Sequence, residues 1–87
     1  MTLNEKVQEA KTMWTAIVPY CSLPTENTLI RWVARFSTDE LMAGFSITGG
    51  KFDAERTADP ERVHRYCTSV MHNRQLEERA QRTGAAR

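Results

Sequence analysis

Only two cysteines, three prolines and four glycines occur in the 87 residues of this chain. Cys21 and Cys67 lie far apart in sequence, which excludes the disulfide framework of a secreted mini-protein and points to two reduced thiols. With so little proline and glycine the chain is neither collagen-like nor a flexible linker. No apolar run approaches the ~20 residues that cross a bilayer. Met1-Thr2-Leu3-Asn4-Glu5 does not have the charged-then-apolar layout of a signal peptide, so a cytoplasmic location is expected. Charge of one sign is lacking too, the formal net charge being +1. A strong non-specific pull on a polyanion is therefore excluded unless folding segregates the signs.

Sequence spacings that carry chemistry are equally scarce. Gly49-Gly50 is not followed by the Lys and Ser or Thr of a phosphate loop, and no nucleophile-elbow spacing occurs. Glu77 and Glu78 are adjacent, so on a helix they diverge by about 100° and cannot share a proton. His64 and Cys67 share a helix side, but His72 is rotated roughly 140° from Cys67, and Cys21 is distant in sequence. That set lacks the paired close spacing of a structural zinc site. The reading is of a protein that is not an enzyme and has no catalytic residues, no metal and no cofactor.

What the chain does have is helical periodicity, from which an all-α fold of four helices is expected. Thr2-Leu3-Asn4-Glu5 has capping-box spacing, and Val7, Ala10, Met13, Trp14, Ile17 and Val18 follow with helical period, giving a first helix over about residues 3–20. Thr25 caps a second, in which Leu29, Trp32, Val33 and Phe36 share one face while Arg31 and Arg35 point elsewhere. Ser37-Thr38-Asp39-Glu40 is another capping box. It opens a third helix, with Leu41, Met42 and Phe45, that should stop at Gly49-Gly50 because glycine readily takes the left-handed conformation that closes a helix. A charged connection from Lys51 to Ala58 is expected to be the most mobile loop, with Phe52 as a plug over the core.

Asp59-Pro60-Glu61 then carries a cap, a proline at the first helical position and an acid at the positive helix end. Val63, Tyr66, Cys67, Val70 and Met71 form the apolar stripe of this fourth helix. Beyond Arg74 the sequence is polar on all sides, apart from Leu76 and Ala80 opposite the stripe. The expected architecture is a small orthogonal four-helix domain over residues 1–82 with a protruding polar C-terminal helix extension and a disordered tail at 83–87. Helices 1, 2 and 4 are expected to supply most of the core through Trp14, Ile17, Leu29, Trp32, Phe36, Tyr66 and Val70. A single core of this size supplies only about 5 kcal/mol, so a partner or self-association would help it.

The layout from Pro24 to Arg74 resembles the C-terminal domain of the DnaD-like replication initiation and primosome proteins of bacteria and phages. A tryptophan-bearing helix, Thr28-Leu29-Ile30-Arg31-Trp32, precedes a short helix opening with the acidic-apolar motif Asp39-Glu40-Leu41-Met42. A closing helix then carries Tyr66 and Val70, and Arg74 stands where the family has a tryptophan. The resemblance implies a phage-like helical module acting on DNA or on replication proteins through its final helix and the basic continuation, without catalysis.

The residues themselves point to a related surface. Nine of the twelve basic residues are Arg, the side chain suited to bidentate phosphate contacts. Arg62, Arg65, Arg74, Arg79 and Arg82, on the outer face of the last helix and its extension, are the candidate nucleic-acid or partner-binding residues, with Arg31 and Arg35 as further members of a patch. The alternative is a protein-binding adaptor or small regulatory protein that docks the Leu76 and Ala80 side into a partner or a second copy of itself. Neither reading involves a membrane or a small-molecule substrate.

Overall fold

In the computed structural model, the backbone is described for residues 2–85 and the side chains for residues 2–81. Four helices follow one another: α1 (Leu3–Ile17), α2 (Glu26–Arg35), α3 (Thr38–Phe52) and α4 (Pro60–Ala85). There is no strand among the described residues, and the domain is all-α as expected.

The helix starts follow local capping chemistry. The Glu5 backbone N–H donates to Thr2 Oγ1 at 3.2 Å while the Thr2 N–H donates back to Glu5 Oε1 at 3.3 Å, a reciprocal arrangement that satisfies two amides left over by the first turn. Ser37 and Glu40 repeat it at the start of α3, at 3.2 and 2.9 Å. Thr25 Oγ1 accepts from the Thr28 N–H, and Asp59 Oδ1 accepts from the Glu61 N–H.

Two helix ends differ from expectation. Helix α1 stops at Ile17 rather than near residue 20, because Pro19 drives the residue before it out of helical geometry; Val18 has φ −126° and ψ 61°. Helix α3 does not stop at Gly49-Gly50 but continues to Phe52, and no glycine among the described residues has positive φ. Gly49, like Gly44, serves close approach instead. A Cβ at Gly49 would lie 3.0 Å from the Ile17 carbonyl oxygen, where α1 ends against α3, and one at Gly44 would collide with Met71 Cγ on α4. The Tyr20 hydroxyl donates to the Gly49 carbonyl at 2.6 Å, tying the α1–α2 connection to the same spot.

The core is correspondingly different. Helix α3 is not a minor contributor: Leu41, Phe45, Thr48 and Phe52 form a buried stripe on it, and it packs most extensively against α4 and also against α1. Phe52 belongs to α3 itself, is 1% exposed, and is crossed edge-on by Tyr66 at 5.4 Å. Trp14, Leu29, Trp32 and Phe36 are buried as anticipated, with Trp14 5.9 Å from Trp32 and 5.2 Å from Phe45 between ring centres. Ile17, Tyr66 and Val70 are half-buried rather than central. From α4, Val63, Cys67 and Met71 enter the core at i, i+4 and i+8.

The connection between α3 and α4 is held by more than its charges suggest. The Glu55 and Ala58 amides close turns onto Phe52 and Glu55 carbonyls. Arg56 pairs with Asp53 at 2.7 Å and lies over the Tyr20 ring at 5.2 Å, a cation–π contact.

Past Met71, α4 leaves the core. Gln75 still reaches back, its amide donating to the Arg35 carbonyl at 3.0 Å, but Leu76 is 48% exposed. A helix of 26 residues spans about 39 Å, close to the 45 Å long axis of the molecule, so the extension projects as expected. The expected tail at 83–87 falls partly outside the described residues: residues 86–87 entirely, and residues 83–85 in their side chains.

Candidate nucleic-acid interface

The four candidate arginines of α4 whose side chains are described do not share one surface. Arg62, near the start of the helix, turns toward the α3–α4 connection, pairing with Glu55 at 3.4 Å and lying 5.5 Å from the Phe52 ring centre. Arg74 continues the line of the core stripe rather than the outer face, because it lies three residues past Met71 on a 3.6-residue helix. It lines a cleft of about 500 Å³ against the start of α3, together with Arg79. Asp39, Glu40 and Glu78 line the same cleft, so its charge is mixed. The Arg82 side chain lies outside the described residues.

Arg65 has different company. Across from it on α2 are Arg31 and Arg35, one turn apart, and these three exposed side chains line a groove of about 380 Å³ between the two helices. Its floor is the edge of Trp32 and Phe36, and its remaining polar groups are the hydroxyls of Thr28, Thr68 and Ser69. No acidic residue lines it among the described residues. Glu61 belongs to the adjoining depression, shared by His64 and Arg65.

Why the groove forms can be read from two tethers. The Trp32 indole N–H donates to Thr68 Oγ1 at 2.9 Å, and Gln75 holds the Arg35 carbonyl. These two side-chain contacts bridge α2 and α4, which otherwise pack chiefly against α1 and α3 respectively. On α2 the apolar face of Leu29, Trp32 and Val33 is buried, which leaves Arg31 and Arg35, at i and i+4, on the rim. Arg31 is steadied by Thr28, whose Oγ1 accepts from it at 3.5 Å. Neither Arg35 nor Arg65 has an acidic partner among the described residues.

The sequence places Arg31 and Arg35 off the apolar face of α2 as members of a patch, yet nothing local ties them to Arg65. That juxtaposition depends on the side-chain bridges from α2 to α4.

His64 and Cys21 lie together at the edge of the core, and Cys67 is buried within it. His64 Nε2 lies 2.9 Å from the Ser22 carbonyl, to which it donates, and 3.9 Å from Cys21 Sγ, while its ring crosses Trp14 edge-on at 5.4 Å. Burial pushes the half-exposed Cys21 thiol upward from its ordinary range. Cys67 is pushed up to about 12, mainly by burial, with Thr48 acting weakly in the other direction. A thiol so shifted stays protonated at neutral pH, the reverse of an activated nucleophile. Although Thr48 lies beside Cys67, its buried hydroxyl has no partner in hydrogen-bonding geometry. No group of three or more His, Cys, Asp or Glu side chains placed to hold a metal occurs among the described residues. No described helix is long and apolar enough to cross a membrane.

Comparison of the chain with protein-family models, with curated proteins and with solved structures finds no match.

Proposed function

We propose that this chain is a non-enzymatic accessory module that contacts nucleic acid through the groove between α2 and α4. One observation carries the reading: Arg31, Arg35 and Arg65 converge on a groove that no carboxylate lines. A near-neutral chain gains little from its net charge, so a local surplus of guanidinium groups is what would release counterions from a polyanion. The groove's hydroxyls add neutral donors suited to phosphate oxygens.

Of the outer-face arginines of α4, Arg65 is the one this reading retains. Arg62 is engaged with Glu55, and Arg74 shares its cleft with three carboxylates. A role beside DNA in replication is what the DnaD-like layout of residues 24–74 implies. Tyr66 and Val70, the residues of that layout on α4, are half-buried, and Tyr66 packs on Phe52, so the contact falls to their neighbours.

The test is binding of a labelled DNA at low salt to the full chain and to a variant carrying Arg31→Ala, Arg35→Ala and Arg65→Ala. Binding that is lost in the variant, but retained with Arg62→Ala, is the expected result. Undetectable binding, or binding indifferent to the three substitutions, contradicts the reading.

A second reading, of a protein-binding adaptor, has its own observation: Leu76 is 48% exposed on the projecting part of α4, with exposed Ala80 one turn on. Light scattering that finds a concentration-independent monomer, for the wild type and for Leu76→Glu alike, counts against its self-associating form.

A further inference from the structure

The α2–α4 groove also carries information about which form of nucleic acid it suits. Proteins that hold single strands combine a basic track with exposed aromatic faces on which bases stack, and that stacking supplies much of their affinity. Here the two rings at the groove are closed off, Trp32 being 2% and Phe36 5% exposed. The indole N–H of Trp32 is already given to Thr68, so it is not free for a base edge. The half-buried tyrosines are engaged away from the groove, Tyr20 under Arg56 and Tyr66 against Phe52 and Lys51.

What the groove offers is therefore charge and hydroxyls, with two guanidinium groups on one wall and one on the other. Arg31 and Arg35 are four residues apart, a rise of about 6 Å along α2, so between them they can reach successive points of a backbone. When charge is the whole attraction, counterion release decides the preference. Each neutralised phosphate contributes about 0.9 to the salt slope on duplex DNA and about 0.7 on a single strand.

We infer that the α2–α4 groove takes the phosphodiester backbone of double-stranded nucleic acid, without stacking on or reading its bases. This rests on the proposed nucleic-acid contact, and the experiment separates the two. Fluorescence anisotropy of the full chain is measured with a labelled DNA duplex, an RNA duplex and a single strand of equal length and of two unrelated sequences. Salt is varied from about 50 to 200 mM, with helix content of every variant checked by circular dichroism.

The duplexes bind more tightly than the single strand, independently of sequence. Arg31→Ala, Arg35→Ala and Arg65→Ala each lower the slope of log K against log salt by about 0.9. Three such contacts make the groove's share of binding about 40-fold weaker over that salt range. Arg65→Lys keeps the slope, since a backbone contact needs the charge and not the fork.

An Arg-dependent preference for the single strand overturns this inference and leaves the proposed function standing. So does a preference above about tenfold for one sequence or one duplex type, since that is readout of base or sugar. Displacement of the duplex by an equally charged polyglutamate peptide at equal concentration assigns the groove to an acidic protein segment and overturns it as well. Absence of Arg-dependent binding to any nucleic acid overturns both.

Discussion

Replacing Gly50 with alanine gives opposite results according to where α3 ends. In the structure Gly50 is helical, exposed, without positive φ, and a Cβ built there has nothing within 4 Å. Alanine is better than glycine inside a helix by about 0.8–1.0 kcal/mol, because glycine loses more backbone freedom on folding. Gly50 lies two residues from the last residue of α3, where the gain is smaller, so about 0.5–0.8 kcal/mol of stabilisation is expected from Gly50→Ala. For a domain of this size that raises Tm by about 2–6 °C. The assay is urea unfolding followed by far-UV circular dichroism, with the midpoint rising and the slope unchanged. If the glycine pair instead closed the helix in the left-handed region, alanine would cost about 1–2 kcal/mol. A lower midpoint therefore refutes the continuous α3, and with it the placement of Phe52.

The neighbouring residue behaves differently: Gly49→Ala sets a Cβ 3.0 Å from the Ile17 carbonyl oxygen, a backbone atom that yields only if α1 moves. Overpacking of this kind costs about 1–3 kcal/mol, and the same urea assay should show a lower midpoint; a rise would mean that α1 and α3 are not in close contact. Cys67 should make stability fall at alkaline pH. Its thiol is raised to about 12 when folded against an ordinary 9.0, so the unfolded chain loses the proton first. The contribution is intact below pH 9 and is lost at about 1.4 kcal/mol per pH unit as pH rises toward 12. Comparing wild type with Cys67→Ala at pH 8 and pH 10 should show the difference between them shifting against the wild type; an unchanged difference contradicts the burial of this thiol.

Much of the fold was legible because it is local chemistry. Thr2 with Glu5, Thr25, Ser37 with Glu40, and Asp59 before Pro60 mark the helix starts through hydrogen bonds that span three residues or fewer. Trp14 and Trp32 declared themselves as anchors through helical spacing alone. The helix ends were harder. Pro19 is a local signal, and it ends α1 at Ile17, three residues before the expected end. Gly49-Gly50 is ambiguous in principle, since glycine serves both a left-handed cap and a close approach, and only the Ile17 carbonyl from another helix decides between them. Once α3 was cut short at that pair, Phe52 fell into a loop and α3 lost its weight in the core.

The candidate site was legible in residue type more than in place. An abundance of Arg pointed to phosphate chemistry, and Arg65 was among the residues named. Reading the outer face of α4 as one surface failed to separate Arg62, turned to Glu55, from Arg74, which follows the core stripe toward Asp39 and Glu40. Arg31 and Arg35 join Arg65 through the Trp32–Thr68 and Gln75–Arg35 tethers, which bridge 36 and 40 residues of sequence.

The groove is tested most directly by mapping amide chemical shifts in a ¹⁵N-labelled sample titrated with a short DNA duplex at low salt. The account predicts that shifts concentrate at residues 28–35 of α2 and 61–69 of α4, and that they vanish together as salt is raised. Shifts confined to residues 74–81, or none at duplex concentrations where other basic domains saturate, would contradict it.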